Sequence, residues 1–346
     1  MRGGIMNRLT FSSRSLFVAA LVAVGASCGE YAEDGASFAS PAEGGAVNGS
    51  AIGSGRLTAG VWDDNRNFDL FVEHFEEQAG LSGRPPFMLD EHRAAHARFA
   101  EPAAPNEMLD VALVVDTTGS MGDEIAYLQT ELDAISRTID ERYPDADARW
   151  ALVVYRDSGD AYVVQSYDFT TGDEMRAVLS RQGPDGGGDY PEASDRALAA
   201  MNELSWRHGE DVARMAFWIA DAPHHGDRAR AQADATRGAA QIDVHVYPVA
   251  SSGVDELTEL SMRSTAQLTG GRYLFLTDDS GIGGTHKEPS IPCYFVTKLD
   301  RAMLRMVDIE LTGAYREPTS DEVIRVGGDP VEGICTLEEG KTAAIF

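Results

Sequence analysis

The chain has 346 residues, of which 43% are hydrophobic and 25% are charged, and its formal net charge is −27. This length allows one large domain with extensions or two domains, and the hydrophobic fraction is ample for a core. So acidic a surface repels phosphate backbones, and the sequence contains no basic stripe to offset it. Composition therefore argues against nucleic acid as a partner.

The first 28 residues have the features of an export signal. Three arginines precede the apolar run SLFVAALVAVGAS, which ends in small residues just before Cys28. Because the run is too short to cross a bilayer, it predicts a signal peptide in residues 1–28. The stretch from Val24 to Cys28 also resembles a bacterial lipobox, although Gly25 stands where a bulky aliphatic residue is usual.

We therefore expect lipidation of Cys28 and a membrane-anchored lipoprotein of the bacterial cell envelope. Ordinary signal cleavage nearby, giving a periplasmic or secreted protein, is the alternative. Residues 29–55 are rich in Ala, Gly, Ser and Glu and have few large apolar side chains. Such a segment cannot offset its ordering entropy, so it predicts a disordered linker that acts as a tether.

Residues 56–106 are predicted to be an N-terminal helical extension and a connection. Phe68, Phe71 and Phe75 follow helical spacing and predict an amphipathic helix that packs on the main domain or forms a small satellite. The Asp/Asn cluster before them suits helix capping. A calcium loop is disfavoured, because its sixth and twelfth positions lack the required Gly and Glu. The segment from residue 82 to 106 is predicted to be a polar, proline-bearing connection.

A near-continuous apolar strand from Leu109 to Val115 runs into Asp116, and Thr118 and Ser120 follow at two-residue spacing. A helical pattern starts directly afterwards. These three side chains are thus expected at the carboxyl end of a buried strand, the edge where open α/β sheets bind ligands. One carboxylate and two hydroxyls are oxygen ligands that suit Mg²⁺.

Two later segments complete a pattern with this turn. The sequence GGGDYPEA spans residues 186–193, and another apolar strand, residues 215–219, runs into Asp221. Three such loops in this order resemble the von Willebrand factor type A family, whose metal-ion-dependent adhesion site draws ligands from all three. The resemblance implies a divalent cation, Mg²⁺ or alternatively Mn²⁺ or Ca²⁺, held by Asp116, Thr118, Ser120, Asp189 and Asp221.

Asp189 departs from animal adhesion domains, which have a threonine in the second loop. Three carboxylates around a divalent ion leave a net negative site, which should hold the cation more tightly and attract an acidic partner less. The alternative is that Asp189 caps the following helix, with Glu192 adding charge to its first turn.

Strand and helix patterns alternate through residues 107–285, the predicted vWA domain. This alternation predicts an α/β fold with a doubly wound, Rossmann-like, mostly parallel sheet flanked by helices. The strands predicted at 150–155 and 161–167 are so close in sequence that they form a hairpin, which gives one antiparallel edge strand. Residues 286–346 are predicted to be a long helix, containing Val296 and Leu299, and an extended tail.

Three cysteines are present, and if Cys28 carries the anchor, Cys293 and Cys335 remain as an even pair. In an exported chain this pair predicts a disulfide.

The predicted function is divalent-cation-dependent binding or adhesion at the cell envelope, with an unidentified protein or envelope polymer as partner and no enzymatic activity. The alternative is a metal-dependent hydrolase, in which His224 or His225 assists a metal-bound water. A subunit of an ATP-driven machine is disfavoured, because the sequence contains no P-loop motif.

Replacing Cys28 by Ser should release the protein from the membrane fraction, because the thioether to lipid cannot form. Metabolic labelling with a palmitate analogue should mark the wild type only. Equal labelling of both proteins, or of neither, would leave plain secretion as the explanation.

Overall fold

The computed structural model describes residues 56–100 and 104–346. They belong to one compact unit. The predicted signal peptide, Cys28 and the predicted linker 29–55 lie outside the described residues. Within residues 56–100 and 104–346, no helix is both long enough and apolar enough to cross a membrane.

The described residues form eleven strands, and nine of them make one central sheet. The strands are β1 (Thr58–Trp62), β2 (Met108–Asp116), β3 (Ala148–Tyr155), β4 (Val164–Thr170), β5 (Val212–Ala220), β6 (His245–Ala250), β7 (Tyr273–Leu276), β8 (Tyr294–Lys298), β9 (Arg325–Gly327), β10 (Ile334–Thr336) and β11 (Thr342–Ala344). The sheet order is β4-β3-β2-β5-β6-β7-β1-β8-β9, and β10 and β11 form a separate ribbon. Strands β3, β2, β5, β6 and β7 run parallel.

Helices cover both faces of this sheet. They are α1 (Phe68–Glu77), α2 (Leu89–Phe99), α3 (Gly122–Arg142), α4 (Gly172–Leu179), α5 (Ser194–Asn202), α6 (Ala229–Gln241), α7 (Glu256–Thr269) and α8 (Leu299–Thr312). Apolar side chains of α3, α4 and α8 pack on one face, and those of α5, α6 and α7 pack on the other. The doubly wound, mostly parallel α/β fold predicted from the sequence is therefore confirmed.

The antiparallel strands are more numerous than predicted. Strand β4 pairs antiparallel with β3 at one edge, as the predicted hairpin requires. Strand β9 is a second antiparallel edge, and β1 lies inside the sheet, antiparallel to both β7 and β8. The segment from residue 56 is thus part of the sheet itself, and α1 and α2 pack outside α7 in a small apolar cluster with it.

Two elements differ from the sequence-based expectation. Helix α2 lies within the segment that was predicted to be an irregular connection; it buries only His92 and Ala95, so it has no apolar stripe to reveal it. Val296, predicted to be helical, lies in β8, and the helix starts only at Leu299. Val296 fits the helical spacing of Leu299 and Met303 although its own backbone is extended.

Buried ion pairs hold the end of β1. Asp63 Oδ2 accepts a hydrogen bond from Arg272 Nε at 2.8 Å, and Asp64 Oδ1 accepts one from Arg263 Nη2 at 2.7 Å. Both acids are buried, and each arginine neutralises a charge that would otherwise be costly to bury. Two acids of the Asp/Asn cluster are thus used in ion pairs. The N-cap of α1 is Asn67, which makes no side-chain capping hydrogen bond, so the predicted capping role of the cluster is not seen there.

The C-terminal part is covalently fastened to the sheet. Cys293, which precedes β8, forms a disulfide with Cys335 in β10, with Cα atoms 5.9 Å apart. Both cysteines are buried, at 0% and 2% exposure. The predicted disulfide is therefore present in the structure.

Replacing both Cys293 and Cys335 by Ser should lower the free energy of unfolding by about 3–4 kcal/mol, since the bridge closes a loop of 42 residues in the unfolded chain. Urea denaturation would measure this loss. A reducing agent should shift the wild type by a similar amount and leave the variant unchanged. An unshifted midpoint in the variant would show that the bridge contributes little.

Candidate metal centre

Three loops meet at the carboxyl edge of the parallel strands: the loop after β2, the loop before α5 and the loop after β5. Main-chain hydrogen bonds join them. The Gly119 N–H donates to the Gly186 carbonyl at 3.1 Å, and the Glu192 N–H donates to the Pro223 carbonyl at 2.8 Å. The backbone itself therefore joins the second loop to each of the other two.

Gly187 makes the close approach of two loops possible. Its backbone has φ +75°, and a Cβ at this position would lie 3.1 Å from Thr118 Cβ and 3.2 Å from Glu192 Oε1. A side chain here would be strained and would push against both neighbours. The glycine run in the second loop thus brings the backbone directly against the first motif.

Asp116 is fully buried at the end of β2. Its Oδ1 accepts hydrogen bonds from the Thr118 N–H at 2.9 Å and from the Thr118 hydroxyl at 2.7 Å. The Thr118 hydroxyl oxygen is in turn 3.1 Å from the Ser120 hydroxyl oxygen. Asp116 Oδ2 is buried without a hydrogen-bond partner.

Two further acids are buried at the same edge, one in each of the other loops. Asp221 is 4% exposed and Glu192 is 2% exposed. Asp221 Oδ1 and Glu192 Oε2 are also buried without a partner. Buried carboxylate oxygens are normally hydrogen-bonded, so these three oxygens at one edge are available as ligands for a cation.

The pKa values of these acids reflect their crowding. Burial raises the pKa of Glu192 to about 9, and the charges of Asp116, Asp157 and Asp221 add to the rise. Burial also raises the pKa of Asp116, with a further contribution from Asp221. Burial raises the pKa of Asp221, although the neighbouring Ser120 hydroxyl favours its ionised form.

These groups fit a divalent cation. Every donor is a hard oxygen, from three carboxylates and two hydroxyls, which is the ligand type that Mg²⁺, Mn²⁺ and Ca²⁺ prefer. The residues that could hold such an ion are Asp116, Thr118, Ser120, Glu192 and Asp221.

A comparison with known families agrees with this geometry. Residues 110–278 match the family model of the von Willebrand factor A domain. The chain therefore contains a von Willebrand factor A (vWA) domain. The matched residues contain all three loops of the candidate centre.

Two known proteins are similar in sequence to part of this chain. An ariadne-like RING finger protein of Acanthamoeba polyphaga mimivirus is 34% identical over 125 residues, which are 36% of this chain and 12% of that protein. An alpha-protein kinase of Dictyostelium discoideum is 25% identical over 135 residues, 38% of this chain and 21% of the kinase. The chain thus spans only a small part of the length of either relative.

Solved structures of the pilus adhesin SpaC from Lactobacillus rhamnosus GG are also similar to this chain. The open conformation is 12% identical, covers 48% of this chain and 27% of the adhesin, and has a TM-score of 0.37. A second crystal form is 11% identical, covers 51% and 29%, and has a TM-score of 0.41.

Asp189 was grouped with Asp116 and Asp221 in the sequence analysis, but its neighbours in the structure include other residues. Asp189 is exposed and lies beside Asp157 and His225, whereas Glu192 is the buried acid of the second loop. Helix α5 starts at Ser194 with Ala193 as its N-cap, so Asp189 does not cap it. The two acids are three residues apart in a loop without periodicity, and only the backbone path shows which one faces inward.

The two histidines after Asp221 have other contacts. His224 is 1% exposed, its Nε2 is 2.9 Å from the Gly83 carbonyl oxygen, and burial lowers its pKa. His225 Nε2 is 2.8 Å from Asp157 Oδ1. Each imidazole thus bonds to a group outside the set Asp116, Glu192 and Asp221.

Replacing Glu192 by Gln should stabilise the cation-free protein at alkaline pH. Because the pKa of Glu192 rises from 4.5 to about 9 on folding, its ionisation costs stability as pH rises through this window. In EDTA at pH 8 the variant should exceed the wild type in free energy of unfolding by at least about 1.4 kcal/mol, the value of one pKa unit. At pH 4.5 or below the difference should vanish.

Thermal or urea unfolding at the two pH values measures this difference. The matched control is Glu203→Gln, which changes an exposed glutamate and should alter stability at neither pH. Equal stability of the wild type and Glu192→Gln at pH 8 would mean that the carboxylate of Glu192 is not crowded.

Proposed function

We propose that this chain is a divalent-cation-dependent binding module of the bacterial cell envelope, with no catalytic activity. The cation is held by Asp116, Thr118, Ser120, Glu192 and Asp221, and a partner contacts it. The observation that carries the proposal is the set of three buried carboxylates, each with an oxygen that has no partner. A bound cation supplies a Lewis-acidic contact for an oxygen atom of the partner.

The charge of the site limits the kind of partner. Three carboxylates exceed the charge of a divalent cation by one, so the occupied site is formally negative. A carboxylate of a partner would therefore be attracted less than by a site with two acids, and a hydroxyl, carbonyl or amide oxygen is favoured. An envelope polymer rich in hydroxyl groups or a neutral protein segment meets this requirement.

A binding role is also favoured by the positions of the histidines. A hydrolase of the kind considered above needs an imidazole to assist a metal-bound water. His224 bonds to Gly83 in the N-terminal segment, and His225 bonds to Asp157. Neither imidazole is therefore paired with an acid of the proposed cation site.

Export and membrane attachment form part of the same proposal. The disulfide between Cys293 and Cys335 supports an oxidising compartment. Attachment through a lipid on Cys28 would then keep the binding module at the membrane surface.

Replacing Asp221 by Asn should weaken Mg²⁺ binding by at least about tenfold, or ~1.4 kcal/mol, because it removes a charge beside the cation. Asp329→Asn is the matched control: it removes the same charge from an exposed position outside both groups of candidate ligands and should leave Mg²⁺ affinity nearly unchanged. Isothermal titration calorimetry at constant ionic strength measures both affinities. An equal loss in Asp329→Asn would show that the weakening in Asp221→Asn does not come from the site.

Binding to a partner is tested with immobilised cell-envelope extract. The wild type should be retained in Mg²⁺ and released by EDTA, and Asp221→Asn should not be retained. Retention that is indifferent to EDTA would contradict a cation-dependent contact. Turnover of an ester or phosphoester panel by the wild type, abolished in Asp221→Asn, would favour the hydrolase.

A further inference from the structure

A second group of metal-type ligands lies beside the candidate centre. Asp157, Asp189 and His225 each offer one ligand atom, and these three atoms all lie within 4.8 Å of one another. The residues come from three different loops, after β3, before α5 and after β5. None of them belongs to the five residues proposed to hold the first cation.

The loops that carry this group are fixed by hydrogen bonds. Asp160 Oδ2 accepts from the Asp157 N–H at 3.1 Å and from the Gly187 N–H, also at 3.1 Å. A single carboxylate oxygen thus ties the loop after β3 to the loop that carries Asp189. Asp157 itself is 6% exposed. Two of the three ligand-bearing loops are therefore in position before any ion binds.

The carboxylate of Glu192 is a further argument for a cation at this position. The charges of Asp157 and Asp160, like those of Asp116 and Asp221, raise the pKa of the buried Glu192 carboxyl. Its Oε2 has no hydrogen-bond partner. A cation held by Asp157 would therefore also be attracted by the carboxylate of Glu192.

The ligand types of the two groups differ. The first site offers oxygen atoms only, whereas the second adds an imidazole nitrogen to two carboxylates. Imidazole suits Zn²⁺ and other first-row transition metals, and Mg²⁺ prefers oxygen ligands. We propose that Asp157, Asp189 and His225 form a second cation site, which takes a transition metal such as Zn²⁺ or Mn²⁺ in preference to Mg²⁺.

A cation in the second site would change the charge around the first site. Two carboxylates and a neutral imidazole balance the charge of a divalent ion, so the occupied second site is formally neutral. The ion nevertheless places a positive charge near Glu192. It would thereby offset part of the excess negative charge around the first cation. The second site itself stands on its own ligands and does not depend on the proposed binding function.

Pulsed electron paramagnetic resonance of bound Mn²⁺ distinguishes the sites, because ¹⁴N modulation of the electron spin echo requires a nitrogen ligand. The wild type should show ¹⁴N modulation, and His225→Gln should lose it. Asp221→Asn, which disrupts the first site, should retain it. His208→Gln, which changes an exposed histidine outside the cluster, is the matched control and should also retain it.

Zn²⁺ titration in saturating Mg²⁺ provides the second readout. His225→Gln and Asp189→Asn should each weaken Zn²⁺ binding by at least about tenfold relative to the wild type, or ~1.4 kcal/mol. Asp189 is exposed, so its variant should fold even if the loss of the His225 contact with Asp157 disturbs the loop. Absence of ¹⁴N modulation in the wild type, or Zn²⁺ affinity unchanged in both variants, would overturn the second site and leave a plain hydrogen bond between His225 and Asp157.

Discussion

The burial of three like charges at one edge of the sheet is the constraint on which the candidate centre depends. Asp116, Glu192 and Asp221 come from three loops, and their mutual repulsion favours separation of those loops. Main-chain hydrogen bonds, such as the one from Gly119 to Gly186, hold the loops together. The backbone thus fixes the acids in a place that they would not occupy by themselves, so the site is preorganised for a cation.

Two other buried acids of this protein have charged partners. Asp63 and Asp64 after β1 are each paired with a buried arginine, Arg272 and Arg263. In the described part of the chain, no lysine or arginine forms an ion pair with Asp116, Glu192 or Asp221. Arginine partners thus balance the charges of Asp63 and Asp64 within the fold, whereas Asp116, Glu192 and Asp221 are available to an external positive charge.

The fold and the first and third loops of the centre could be predicted because they follow strong local patterns. The near-continuous apolar run from Leu109 to Val115 has the pattern of a buried strand, and an acid at the end of such a strand lies at the ligand-binding edge. The second loop has no periodic apolar pattern, so its sequence did not show that Glu192 is buried and Asp189 exposed. Strand β1 is short and far from β7 in sequence, and its place inside the sheet depends on tertiary pairing alone.

Strand β1 also determines where the chain enters the folded unit. Thr58 pairs with Lys298 and Ala59 with Leu276, so β1 begins at the carboxyl ends of its neighbours, the same edge that carries the candidate centre. A pull between a ligand at the centre and an attachment upstream of residue 56 would therefore act across one edge of the sheet. Under such tension the hydrogen bonds of β1 would open one after another from Thr58, and the domain would yield by peeling rather than by shear.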